Sequence, residues 1–143
     1  MNAMDVSERL GGARILGHEI FSELDWIEVL EHGLPHESVD AAIEHGLLSR
    51  EESEALVIPR RTLTHRRQKH QRLSLEESDR LLRIARVSAR AEEAFGDAGK
   101  AHRWLRKPSR PLRGAVPLEL LKTSAGAELV QEELVRIEHG IYL

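Results

Sequence analysis

Cysteine is absent from all 143 residues, so the chain forms no disulfide, carries no thiol nucleophile and builds no thiolate zinc site. Aromatic residues are scarce: Phe21, Trp26, Phe95, Trp104 and Tyr142 make up 3% of the sequence. Sandwiches and barrels rely on aromatic and β-branched side chains, so this scarcity argues against a sheet protein. Long apolar runs are missing as well, since no stretch free of Asp, Glu, Lys and Arg exceeds five residues. Runs that short neither span a membrane nor form the apolar stretch of a signal peptide, and a cytoplasmic protein without membrane contact is expected. What is abundant is Leu, Ala, Glu and Arg, the residues that favour helices. An all-α chain is the expectation.

A net charge of -3 suggests little about partners until the chain is divided. Residues 1–58 hold 13 acids against three bases, a net of -10. Residues 59–72 hold six bases (Arg60, Arg61, Arg66, Arg67, Lys69 and Arg72) and no acid, while residues 73–143 are nearly balanced at +1. A basic island of this kind reads either as an element that contacts phosphates or as a solvated linker or helix face.

Helix signals punctuate the sequence. Gly11-Gly12 and a weak pattern make residues 1–18 an expected flexible arm. Ser22 and Gly33 bracket a helix with Leu24, Ile27 and Leu30, accompanied by Trp26, as its apolar stripe. A second helix runs from His36 to His45. Ser49-Arg-Glu-Glu52 is a capping box that opens a helix to about Val57, and Pro59 precedes a basic helix from Arg60 to about His70. Short helix, tight break and basic helix are the layout of a helix-turn-helix, whose second helix enters the major groove. A second box, Ser74-Leu-Glu-Glu77, starts the longest helix, ended by Gly96. Its wide apolar arc (Leu81, Ile84, Ala85, Val87, Ala89, Ala91, Phe95) implies more than one packing neighbour. The pairs Glu76–Arg80 and Asp79–Arg83 have the spacing of helix-surface ion pairs. Further helices are expected at Lys100–Lys107, at 118–121 behind Pro117, and at about 125–139. The change of composition at Leu73 marks the domain boundary, giving 19–72 and 73–143 after the arm.

No catalytic constellation emerges. Nucleophile elbow, phosphate loop and dinucleotide glycine motif are all missing, so no enzyme, no catalytic residue and no cofactor are expected. The eight histidines never form the pair of ligands on one helix face that marks a zinc hydrolase. His32 and His36 come nearest, but Gly33-Leu34-Pro35 interrupts any helix between them, and no metal site is expected. Trp104 reads as a core anchor, because no second ring accompanies it to form a stacking platform. At the carboxyl end, Gly140 suits a left-handed helix stop with Ile141 folding back on Val135. That leaves Tyr142 and Leu143 apolar and unexplained, and insertion into a partner's pocket is the other reading.

Taken in order, Arg72-Leu-Ser-Leu-Glu-Glu-Ser-Asp-Arg-Leu-Leu-Arg-Ile-Ala-Arg86 and Ala91-Glu-Glu-Ala-Phe-Gly96 carry a family likeness. So do Trp104-Leu105 with Pro108, Pro117-Leu-Glu-Leu-Leu121, Gly126-Ala127 and Arg136-Ile-Glu-His-Gly-Ile-Tyr142. Residues 72–143 thereby resemble the MbcA/ParS/Xre antitoxin family, with Ser109 standing where the family often has Asn. Ile58-Pro-Arg-Arg-Thr-Leu-Thr-His-Arg-Arg67 resembles the basic end of that family's Xre-like helix-turn-helix. The resemblance implies a helix-turn-helix region followed by a small helical toxin-binding domain. It implies an antitoxin of a type II pair whose partner is a RES-domain toxin that consumes NAD or transfers ADP-ribose, and that is blocked by the antitoxin's terminal residues. Arg136, Glu138, His139, Gly140, Ile141, Tyr142 and Leu143 would lie at the toxin interface. Arg60, Arg61, Thr62, Thr64, Arg66, Arg67, Lys69 and Arg72 would face operator DNA in an autoregulated operon. A homodimer that assembles further with the toxin is also implied. The competing readings are a helix-turn-helix regulator whose carboxyl-terminal domain only dimerises it, and an interaction module that has lost DNA binding.

Overall fold

A computed structural model describes residues 3–140. The elements are α1 (Ala3–Arg9), α2 (Gly12–Leu16), α3 (Glu23–His32), α4 (Glu37–Glu44), α5 (Arg50–Leu56), α6 (Arg60–Gln68) and α7 (Leu75–Phe95). After these come α8 (Ala98–Leu105), a 3-10 turn (Arg110–Leu112), α9 (Pro117–Leu120) and α10 (Ser124–Glu138). An isolated bridge between Ser109 and Ala115 is the one β-type pairing among the described residues, so the expected all-α fold is what forms. No helix among them is long and apolar enough to cross a membrane. Two compact units divide between Ala85 and Arg86, within α7.

The division falls later than the composition change at Leu73, and hydrogen bonds show why. Leu34 N–H donates to Ser78 Oγ at 2.8 Å, and Leu73 N–H donates to the Leu34 carbonyl at 2.9 Å. Arg80 sends Nε and Nη2 to the Val57 carbonyl just past α5. These bonds hold the opening half of α7 in the first unit. Arg80 is thereby taken from the expected pair with Glu76, while Asp79 and Arg83 pair at 2.6 Å as their spacing suggests.

The first unit also absorbs the expected arm. Gly11 and Gly12, at φ 117° and 73°, turn the chain between α1 and α2 instead of releasing it. Both helices pack against α4, and Val6, Leu10 and Leu16 are buried. Ser22 caps α3 in a full capping box with Asp25, and Ser49 with Glu52 repeats the motif at α5. Ser74 and Glu77 exchange the same bonds before α7. The expected inner stripe of α3 is corrected: Trp26 and Val29 are buried, whereas Leu24 and Ile27 are 75% and 45% exposed. The indole presents the largest apolar surface on this helix, and burying it turns Leu24 and Ile27 outward beside exposed Phe21. His70 closes α6 at φ 55°, where glycine is usual, in a turn completed by bonds from His70 N–H to the Arg67 carbonyl and from Gln71 N–H to the Arg66 carbonyl.

In the second unit Val87, Ala89, Ala91, Ala101, Leu105, Leu118, Leu121, Val130 and Leu134 are buried. Asp97 caps α8 through the Lys100 N–H, starting it earlier than the expected Lys100. Trp104 is half-buried, its ring centroid 5.7 Å from that of Phe95. Pro117 opens α9 and Thr123 caps α10. Gly126 admits the Leu120 carbonyl so closely that a Cβ would overlap it, which explains a glycine inside a helix.

Candidate functional site

Two surfaces, one in each unit, collect the residues singled out in the sequence. In the first, α5, the Val57–Pro59 connection and α6 form a helix-turn-helix arrangement. Nothing in α6 is buried, so the helix stands at the surface. Its period divides the basic residues between two faces. Arg60, Arg61 and Thr64 share an open depression with His65 and Gln68, two residues that charge counting alone did not single out. Their spacing from Arg61, four and seven residues on, puts them on one helical face over two turns and was the signal that finds them. Arg60 and Arg61 make no ion pair among the described residues. Thr62 is half-buried, and Lys69 is the exposed cap of the helix.

The other basic residues are engaged within the unit. Arg66 donates Nε and Nη2 to Glu77 Oε1 at 3.3 and 3.2 Å, and Nη2 also reaches Oε2. Glu77 is buried and serves at the same time as the capping-box carboxylate of α7, so one side chain joins α6 to α7. Arg67 Nη2 lies 2.7 Å from Asp40 Oδ1 on α4. Arg72 Nη1 donates to the Gly33 carbonyl at 3.1 Å. The basic island is therefore part exposed surface and part internal brace.

The second surface is the end of α10. Glu138 accepts two bonds from Arg90, at 2.9 Å and 2.7 Å, in fork-to-fork geometry. That guanidinium holds the Glu138 carboxyl below its ordinary value, and Glu138 in turn raises Arg90. Arg136 pairs with Glu133, a carboxylate that is itself buried, at 3.1 Å. His139 and Gly140 are exposed, and Gly140 takes φ 74°. Ile141, Tyr142 and Leu143 lie outside the described residues, as does the expected contact of Ile141 with Val135. Among the described residues one group brings metal-ligating atoms together: His18, Asp25 and Glu28. His32 and His36 do not join it, because Gly33 ends α3 between them.

Comparison with known proteins bears on both surfaces. Residues 25–86 match the antitoxin Xre-like helix-turn-helix domain, and residues 90–140 match the antitoxin Xre/MbcA/ParS C-terminal toxin-binding domain. The chain is similar to antitoxin Xre of Pseudomonas putida, 44% identical over 97 residues that cover 68% of this chain and 60% of the relative. It is similar to antitoxin Xre of Yersinia enterocolitica, 42% identical over 59% of this chain and 58% of the relative. A Sphingobium protein named Prs ADP-ribosylating antitoxin is 29% identical over 62% of each chain. The chain thus spans about three fifths of the length of these relatives.

Proposed function

Because the chain belongs to the Xre/MbcA/ParS antitoxin family, we propose that it neutralises a RES-domain toxin that uses NAD and represses the operon encoding the pair. The observation that carries the reading is the presence, in one chain, of matches to a helix-turn-helix domain and a toxin-binding domain, each on its own compact unit. ADP-ribose chemistry for the toxin gains support from the name of the Sphingobium relative. The chain's own part is binding, with no catalytic step assigned to it.

In this reading α6 lies in the major groove of operator DNA. Arg60 and Arg61 neutralise phosphates, and Thr64, His65 and Gln68 face the base edges, where hydroxyl, imidazole and amide groups can donate or accept. Arg66, Arg67 and Arg72 fix the angle of α6 through Glu77, Asp40 and the Gly33 carbonyl. Lys69 and Thr62 flank the contact face. In the second unit the Arg90–Glu138 clamp fixes the end of α10, from which His139, Gly140, Ile141, Tyr142 and Leu143 reach the toxin and occlude its NAD pocket. Two copies of the chain join in the complex with toxin. Co-expression with a RES-domain toxin from the same locus tests the proposal, with growth rescue and co-purification as the expected outcome. Operator binding without toxin capture would instead favour a plain transcriptional regulator.

A further inference from the structure

Away from both surfaces, the first unit gathers three ligating side chains that the proposed function leaves unused. His18 lies in the connection between α2 and α3, and Asp25 and Glu28 stand one turn apart on α3. His18 Nε2 is 3.5 Å from Asp25 Oδ1 and 3.5 Å from Glu28 Oε2. The three ligand atoms all lie within 4.8 Å of one another. Nε2 is shielded from solvent and forms no hydrogen bond. A ring nitrogen in that position faces two carboxylate oxygens at ion-pair distance, yet is shielded from water without a hydrogen bond to either.

A cation between the three atoms resolves this. Zinc bonds to imidazole nitrogen and carboxylate oxygen at about 2.0–2.2 Å, which places the corners of a tetrahedron about 3.4 Å apart. Both measured separations from Nε2 fit that edge. Asp25 is already held in a ligating orientation, because its Oδ2 accepts the Phe21 and Ser22 N–H groups at 2.8 and 3.0 Å and leaves Oδ1 toward His18. Such outer bonds fix a metal ligand in place. A mixed nitrogen and oxygen donor set of three suits zinc better than calcium or magnesium, which take six or more oxygens. A cavity of about 240 Å³ lies beside His18 and Glu28, lined also by His32 and Arg72.

We propose that His18, Asp25 and Glu28 form a structural site for a zinc-like divalent cation that fastens the α2–α3 connection to α3. The metal would anchor the amino-terminal helices to the helix-turn-helix unit, independently of whether a toxin is bound. Zinc chloride titrated calorimetrically into the full chain tests the site, alongside His18→Ala, Glu28→Gln and the control His45→Ala at an exposed histidine. The wild type and the control are expected to bind one equivalent, with affinity at least about ten-fold weaker in the other two variants. Zinc should raise the unfolding temperature of the wild type and control alone. Absence of uptake by the wild type, or equal binding by His18→Ala and Glu28→Gln, overturns the proposal and leaves His18 as an ion-pairing histidine. Both side chains are substantially exposed, and circular dichroism checks that the variants fold; if His18→Ala does not, Glu28→Gln decides.

Discussion

The basic helix of the first unit and the last turn of α10 in the second are both charged, and they dispose of that charge differently. On α6, Arg66 and Arg67 turn to Glu77 and Asp40, while Arg60 and Arg61 stay outside. On α10, Arg136 is paired with Glu133 and Glu138 with Arg90, and the residues that follow within the described chain are His139 and Gly140. One surface therefore leaves cations unpaired, which under the proposed function would meet a polyanion, whereas the other closes its ions internally. Two kinds of recognition follow, with different sensitivities to salt. Operator binding should weaken steeply as salt rises, by about 0.9 in log–log slope per neutralised phosphate, and toxin binding only shallowly.

The strongest way to separate the two surfaces is to damage one unit. Gly126→Ala would drive a Cβ into the Leu120 carbonyl, and overpacking of this kind destabilises by about 3 kcal/mol. The expected result is loss of toxin capture with operator binding retained, read by pull-down and mobility shift on the same preparation. Loss of both would show that the units do not act separately.

Glu77 tests the brace behind α6. Glu77→Ala removes the Arg66 partner and the capping box together and should destabilise by about 2 kcal/mol in urea unfolding, a value reduced because Arg66 is partly exposed. Glu77→Gln can keep the cap and should lose only about half as much. Equal losses would remove the ion pair from the account.

Arg60 and Arg61 test the outer face. Each alanine variant should lower the salt slope of operator binding by about one unit and leave the unfolding temperature unchanged. Arg66→Ala should do the reverse, losing stability first. If Arg66→Ala changes the slope with no loss of stability, the division of α6 into two faces fails.

The smallest effect belongs to the clamp at α10. The Glu138 carboxyl is held below its ordinary 4.5 by the Arg90 hydrogen bonds. Its contribution to stability is thus present above that value and fades as pH falls through the depressed one. Glu138→Gln should be slightly less stable near neutrality and show a flatter loss as pH falls below the ordinary 4.5 of the carboxyl, followed by chemical unfolding. An unchanged acid limb would mean that the exposed pair contributes nothing measurable.

Much of this molecule is legible in its sequence where the determinants are local. Three capping boxes, the proline at the start of α9 and the glycines after α3 and α7 are written within a few residues of where they act. Spacing fails where a distant partner decides. Asp40 lies 27 residues before Arg67, and Glu77 lies 11 residues after Arg66, so the basic island could not be divided into free and engaged cations by counting charge. On α3 two apolar stripes compete, and only the packed unit selects Trp26 and Val29 over Leu24 and Ile27. His18 meets Asp25 and Glu28 across a loop rather than along one helix face, a juxtaposition no helical motif contains.

The central claim, that a chain with a DNA-reading unit holds an NAD-using toxin through the residues after α10, rests most directly on one substitution. Ile141, Tyr142 and Leu143 are replaced together by serine, and NAD turnover by the RES-domain toxin is measured with increasing amounts of each protein. The wild-type chain should bring turnover to background at stoichiometric amounts. The triple variant should leave it near the uninhibited rate while its circular dichroism and operator binding stay unchanged. Full inhibition by the triple variant would contradict the account.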